Sequence, residues 1–122
     1  MTNSQNSKPK YDLEERTFRF AKEVRLFVKT IQKTIANNED TKQVVRSSGS
    51  VGANYIEANE SLGKKRFLMK IKICRKESKE SAYFLKLIIE TNELGNNDEA
   101  ERLIREAIEL KKIFSSIIEK SK

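Results

Sequence analysis

Histidine is missing from the 122-residue sequence, cysteine and proline each occur once, and glycine occurs four times. Without histidine the chain lacks the commonest acid–base residue and the commonest metal ligand. A single cysteine, Cys74, forbids an intrachain disulfide and fits a cytoplasmic setting. Its position on an apolar stripe points to packing rather than to a reactive thiol. Few proline and glycine breakers favour long helices. Aromatic residues make up only 7%, so Leu, Ile and Val must do most of the packing. No apolar run approaches the ~18 residues a membrane span requires. The first ten residues, MTNSQNSKPK, lack the apolar segment of a signal peptide.

Motifs that carry chemistry are missing as well. There is no GxxxxGK[ST], GxGxxG or GxSxG. Ser48-Gly49-Ser50 lies inside a helical pattern and has no histidine base. Glu57 and Glu60 are three apart, as are Glu77 and Glu80, and carboxylate pairs of this kind can line a helical bundle. Di-iron bundles, however, use Glu-x-x-His, which this chain cannot supply. No metal, cofactor or enzymatic activity is therefore expected. There is no helix-turn-helix, zinc-finger or RNP-type segment either.

What remains is helix. Residues 1–10 are polar and read as a disordered arm, followed by one domain over 11–120. The first helix is expected over Tyr11–Ala36, with Asp12 as its cap. Its stripe runs Leu13, Thr17, Phe20, Val24, Phe27, Ile31, Ile35. Asn37–Asp40 reads as the turn. The second helix then spans about Thr41–Ser61 and carries Gly49 and Gly52 at its centre. A loop is the competing reading there, but the apolar period continues through both glycines. Two glycines inside a helix, each costing roughly 1 kcal/mol relative to Ala, imply a close helix crossing. Arg46, Asn54 and Glu57 lie around this region and predict a structural hydrogen-bond network with Glu77 or Glu80.

Lys64–Glu90 has no Pro or Gly and makes a helix roughly 40 Å long. Its core stripe includes Phe67, Ile71, Cys74, Ser78, Ser81, Leu85 and Ile88. Leu94 and Gly95 signal its end. Asp98 and Glu101 resemble a capping box for a fourth helix, whose stripe includes Leu103, Ala107, Leu110 and Phe114. Four amphipathic helices joined by short turns predict an all-α, antiparallel up-down-up-down four-helix bundle.

Charge is uneven. The chain is net +7, while Lys64–Glu90 alone holds nine Lys or Arg against three Glu, a local net of +6. Lys65, Lys72, Lys79 and Lys86 repeat every seven residues, with Lys76 between them. Such a face is most often simply solvated. Its alternative role is to attract a polyanion, with these lysines plus Lys64 and Arg75 as phosphate contacts that read no bases. Phe18, Leu26, Ile73 and Ile113 lie off the core stripes and predict self-association. A scaffold or protein-interaction module with no nucleic-acid role is the other reading.

One segment is specific enough to suggest a family. Arg46-Ser47-Ser48-Gly49-Ser50-Val51-Gly52-Ala53-Asn54-Tyr55-Ile56-Glu57-Ala58 is similar to a motif of the proteins encoded within 23S rRNA intervening sequences, the S23 family. Leu13-Glu14 through Phe20-Ala21, and Phe67, Ile71, Cys74, Lys76, Glu77, Lys79 and Glu80, continue the resemblance over roughly Tyr11–Lys120. The common family form places a Gly soon after Glu57, where this chain has Ala58 and Asn59. The resemblance implies a four-helix bundle assembled as a homopentamer around a central opening. It extends to the accessory protein of diversity-generating retroelements, a basic barrel, and so implies RNA or DNA and a reverse transcriptase as partners.

Overall fold

Scarce breakers and strong apolar stripes give long helices. The computed structural model describes residues 9–122, with side chains from residue 13 onward. Among the described residues the chain forms four helices and no strand: α1 (Pro9–Val28), α2 (Ile35–Asn59), α3 (Lys64–Thr91) and α4 (Asp98–Lys120). α1 packs on α2 and α4, and α3 also packs on α2 and α4. α1 and α3 are therefore diagonal in the bundle, as antiparallel neighbours joined by short loops require. The core is mostly aliphatic, with Phe20 and Phe114 as its largest fully buried side chains. Most of the expected disordered arm lies outside the described residues. Its last two positions, Pro9 and Lys10, are helical, and proline suits a first helical turn.

The first connection differs from the sequence expectation. α1 stops at Val28, and Asn37–Asp40 is inside α2 rather than a turn. The chain breaks over residues 29–34, where there is neither Gly nor Pro. Thr34 caps α2 by accepting a hydrogen bond from the Asn37 backbone N–H at 3.1 Å. Asn37 is buried; its side-chain amide donates to the Gln32 carbonyl at 2.9 Å and exchanges hydrogen bonds with the Asn92 amide at 2.8 and 2.9 Å. The pair ties the start of α2 to the end of α3. Ile35, expected on the core stripe, is 90% exposed as a result.

The other two ends shift less. α3 stops at Thr91, before the Leu94-Gly95 signal. The residue that turns the chain is Glu93, in the left-handed region at φ 56°. The Leu94 N–H then donates back to the Ile89 carbonyl at 2.9 Å, and Leu94 packs on the core, as in a Schellman ending. A non-glycine residue there carries backbone strain of roughly 1–2 kcal/mol. Replacing Glu93 with Gly should therefore raise stability by about 0.5–1 kcal/mol after the entropic cost of glycine. A lower urea midpoint for that variant would contradict this. α4 is capped by Asn97 rather than Asp98: its side chain accepts from the Ala100 N–H at 2.9 Å.

α2 runs unbroken through both glycines, so the loop alternative fails. A Cβ on Gly52 would lie 3.0 Å from Thr17 Oγ1, which is the close α1–α2 approach. On Gly49 its nearest neighbours would be atoms at the end of the Arg25 side chain.

Candidate nucleic-acid interface

The inner side of α3 accounts for which side is left outward. Ser47 and Ser48 of α2 and Ser78 and Ser81 of α3 are fully buried. Ser47 and Ser81 hydroxyls pair at 2.8 Å, while Ser78 donates to the Cys74 carbonyl at 2.9 Å. Small hydroxyl side chains satisfied in this way let the two helices approach closely without stranding polar groups. The Cys74 thiol donates to the Val51 carbonyl at 3.4 Å. Burial pushes that thiol up to about 12, so it is a packing group and not a nucleophile.

The expected polar network divides. Arg46 of α2 donates to Glu80 at 2.6 Å and to Glu77 at 3.5 Å. Partial desolvation opposes the Arg46 charge, but Glu77 and Glu80 outweigh it and hold the guanidinium above its ordinary value. Asn54 takes no part: its amide donates to the carbonyl and hydroxyl of Ser50, both at 2.9 Å. Glu57 is exposed and pairs with Lys70 of α3 at 2.6 Å. Of these two polar, central residues of α2, Asn54 thus turns back to its own helix and Glu57 to a lysine of α3.

The division has an electrostatic consequence for α3. Glu77 and Glu80 are drawn toward α2, away from the outward ridge. On that ridge Lys65, Lys72, Lys76, Lys79 and Lys86 are all exposed. Seven residues fall about 20° short of two helical turns, so the repeat drifts only slowly across one side. From Lys65 to Lys86 the row spans roughly 32 Å. Lys76 lies 3.6 Å from Glu77. Among the described residues the other four lysines have no carboxylate partner. Lys64 is exposed and Arg75 half-buried on one shoulder of the row. At its C-terminal end the row meets Glu90, also exposed.

Two side chains on this ridge escaped the sequence reading. Met69 stands between Lys65 and Lys72, and Tyr83 between Lys79 and Lys86, and both are exposed. The signal was available: 65, 69, 72, 76, 79, 83 and 86 alternate spacings of four and three, one face in antiphase to the core stripe.

Apolar exposure elsewhere is spread over Ile35 and Ile56 of α2, Leu62 after it, Ile108 of α4 and two residues of α1. Phe18 is 68% and Leu26 52% exposed, flanking a groove with Lys22, Arg25, Lys29 and Gly49. Ile73 and Ile113, expected to join them, are half-buried instead, and Ile113 packs on the core. On the α1–α4 side, Arg16 grips Glu106 with two hydrogen bonds at 2.7 and 2.9 Å, and Arg102 reaches Glu23 at 3.0 Å. Among the described residues no group of side chains is arranged to hold a metal ion, and no helix is long and apolar enough to cross a membrane.

A family model described as 23S rRNA-intervening sequence protein matches residues 10–116. A crystal structure of a protein with unknown function from the S23 ribosomal protein family of Bacteroides thetaiotaomicron VPI-5482 is similar to this chain, with a TM-score of 0.75 at 28% identity. The match covers 86% of this chain and 96% of that one. No curated protein matches the chain.

Proposed function

This chain belongs to the family of 23S rRNA-intervening sequence proteins, and from that premise we propose a non-catalytic, self-assembling bundle that holds nucleic-acid phosphates along α3. The observation that carries the reading is the row of lysines from Lys65 to Lys86, four of them without a carboxylate partner among the described residues. Lysine is a point charge on a flexible stem, suited to phosphate and not to base edges. Lys64 and Arg75 add charge at the shoulder.

Self-assembly would use a different side. Phe18 and Leu26 lie on α1, diagonal to α3. Copies joined through α1 would leave the lysine rows uncovered and multiply them, which raises the local field for a polyanion. Five copies are what the family resemblance implies. A scaffold role is the second reading, favoured by the same α1 groove, whose Lys22, Arg25 and Lys29 rim suits an acidic protein.

Light scattering coupled to size exclusion tests assembly: a multiple of the 14.1 kDa chain mass is expected, and a monomer at micromolar concentration contradicts it. Fluorescence anisotropy with structured RNA, duplex DNA and an RNA–DNA hybrid tests binding. No detectable binding at low salt by a verified oligomer would leave the scaffold reading in its place.

A further inference from the structure

We infer that the α3 ridge takes single-stranded nucleic acid in preference to duplex, with Tyr83 as the platform on which a base stacks. The inference rests on the phosphate-binding reading above and adds a substrate class to it. Tyr83 is 60% exposed, one turn from Lys79 on one side and from Lys86 on the other. Its ring meets the Phe84 ring edge-on, with centroids 5.2 Å apart and planes at 82°. Phe84 in turn packs on the core. The exposed ring is therefore braced by its neighbour, which reduces the freedom it loses when a base lies on it. An aromatic face between cationic side chains is the arrangement that binds single strands without reading sequence.

The shape of the ridge favours a single strand over a duplex. α2 and α4 flank α3 on both sides, at axis separations of about 8–10 Å for packed helices. A major groove about 12 Å wide admits one helix, so neighbours on both sides limit how deeply α3 can enter it. Laid along a duplex instead, a straight row roughly 32 Å long is shorter than one helical turn of about 34 Å. Each winding backbone would meet it about once. A flexible strand can follow the ridge from side chain to side chain, with steps of roughly 4.5–6 Å along the helix axis when Met69 and Tyr83 are counted with the five lysines.

The test uses the full chain with oligo(U), oligo(dT) and a mixed-sequence duplex of equal length. Both single strands should bind more tightly than the duplex, and their relative affinity tells RNA from DNA as the preferred source. Tyr83→Ala should weaken single-strand binding about five- to 150-fold, leaving duplex binding and the salt slope unchanged. Tyr83→Phe should keep the affinity and lose the quenching of tyrosine emission on binding. Equal binding of duplex and single strand, an unaltered affinity for Tyr83→Ala, or quenching that survives in Tyr83→Phe would overturn the inference while leaving phosphate binding intact. Absence of binding to all three probes would remove the underlying reading itself.

Discussion

Reversing Lys72, Lys76 and Lys79 to Glu is expected to weaken nucleic-acid binding by about three orders of magnitude near 0.1 M salt. Each lysine on a single-strand phosphate releases about 0.7 of a counterion. Three lost contacts thus account for roughly two decades at that salt concentration, and three new repulsive charges add to the loss. The fold should survive. All three lysines are exposed, and the one ion pair removed, Lys76–Glu77 at 3.6 Å, involves an exposed lysine whose contribution is small. Net charge falls from +7 to +1, since each swap changes it by two. A control with the same net charge, Lys33, Lys42 and Lys112 to Glu, alters exposed positions off α3. It should lose far less affinity, which separates a local row from a merely basic protein. Equal losses in the two variants would count against the row.

The second large effect concerns the α1–α2 crossing. Gly52→Leu should destabilise the bundle by about 1–3 kcal/mol or more. Even the first added carbon would lie 3.0 Å from Thr17 Oγ1 and 3.3 Å from Thr17 Cβ, with the Thr17 backbone carbon at 3.7 Å. Thr17 is buried, and its hydroxyl donates to the Glu14 carbonyl at 3.1 Å, so it has little room to turn aside. Gly49→Ala makes the contrast. There the added carbon meets the Arg25 Nη2 at 3.0 Å, on a long side chain that can move at the expense of its 3.3 Å bond to the Val45 carbonyl. Helix propensity then favours Ala by roughly 1 kcal/mol. Urea unfolding of the two variants should move the midpoint in opposite directions. An unchanged midpoint for Gly52→Leu would show that the crossing is looser than the Thr17 contacts imply.

The two glycines look alike in the sequence and differ only by what lies across the interface, and this marks where sequence reading stopped. The four helices, the core stripes and the outward lysines follow from period and composition, which are local properties of the chain. The α1–α2 boundary does not. Ile31 and Ile35 continue the α1 stripe in register, and Asn37–Asp40 carries turn residues. The real break is fixed by Thr34 and by Asn37 bonding to Asn92 on another helix, a contact no local pattern displays. The polar network formed only in part for the same reason. Arg46, Glu77 and Glu80 meet across α2 and α3, but Glu57 finds Lys70 and Asn54 finds Ser50. Spacing on one helix gives the face, and the choice of partner depends on the neighbour's rotation. Tyr83 was legible by spacing and was passed over because the outward face was read for charge alone.

The central claim is that α3 is a phosphate-binding ridge, and the salt dependence of single-strand binding tests it most directly. With the assembled full chain and a labelled oligo(dT), log K should fall linearly with log salt. Five lysine contacts predict a slope of about −3.5. In the Lys72, Lys76 and Lys79 charge-reversal variant the slope should collapse toward zero. A wild-type slope near zero, or a variant slope as steep as that of the wild type, would contradict the account.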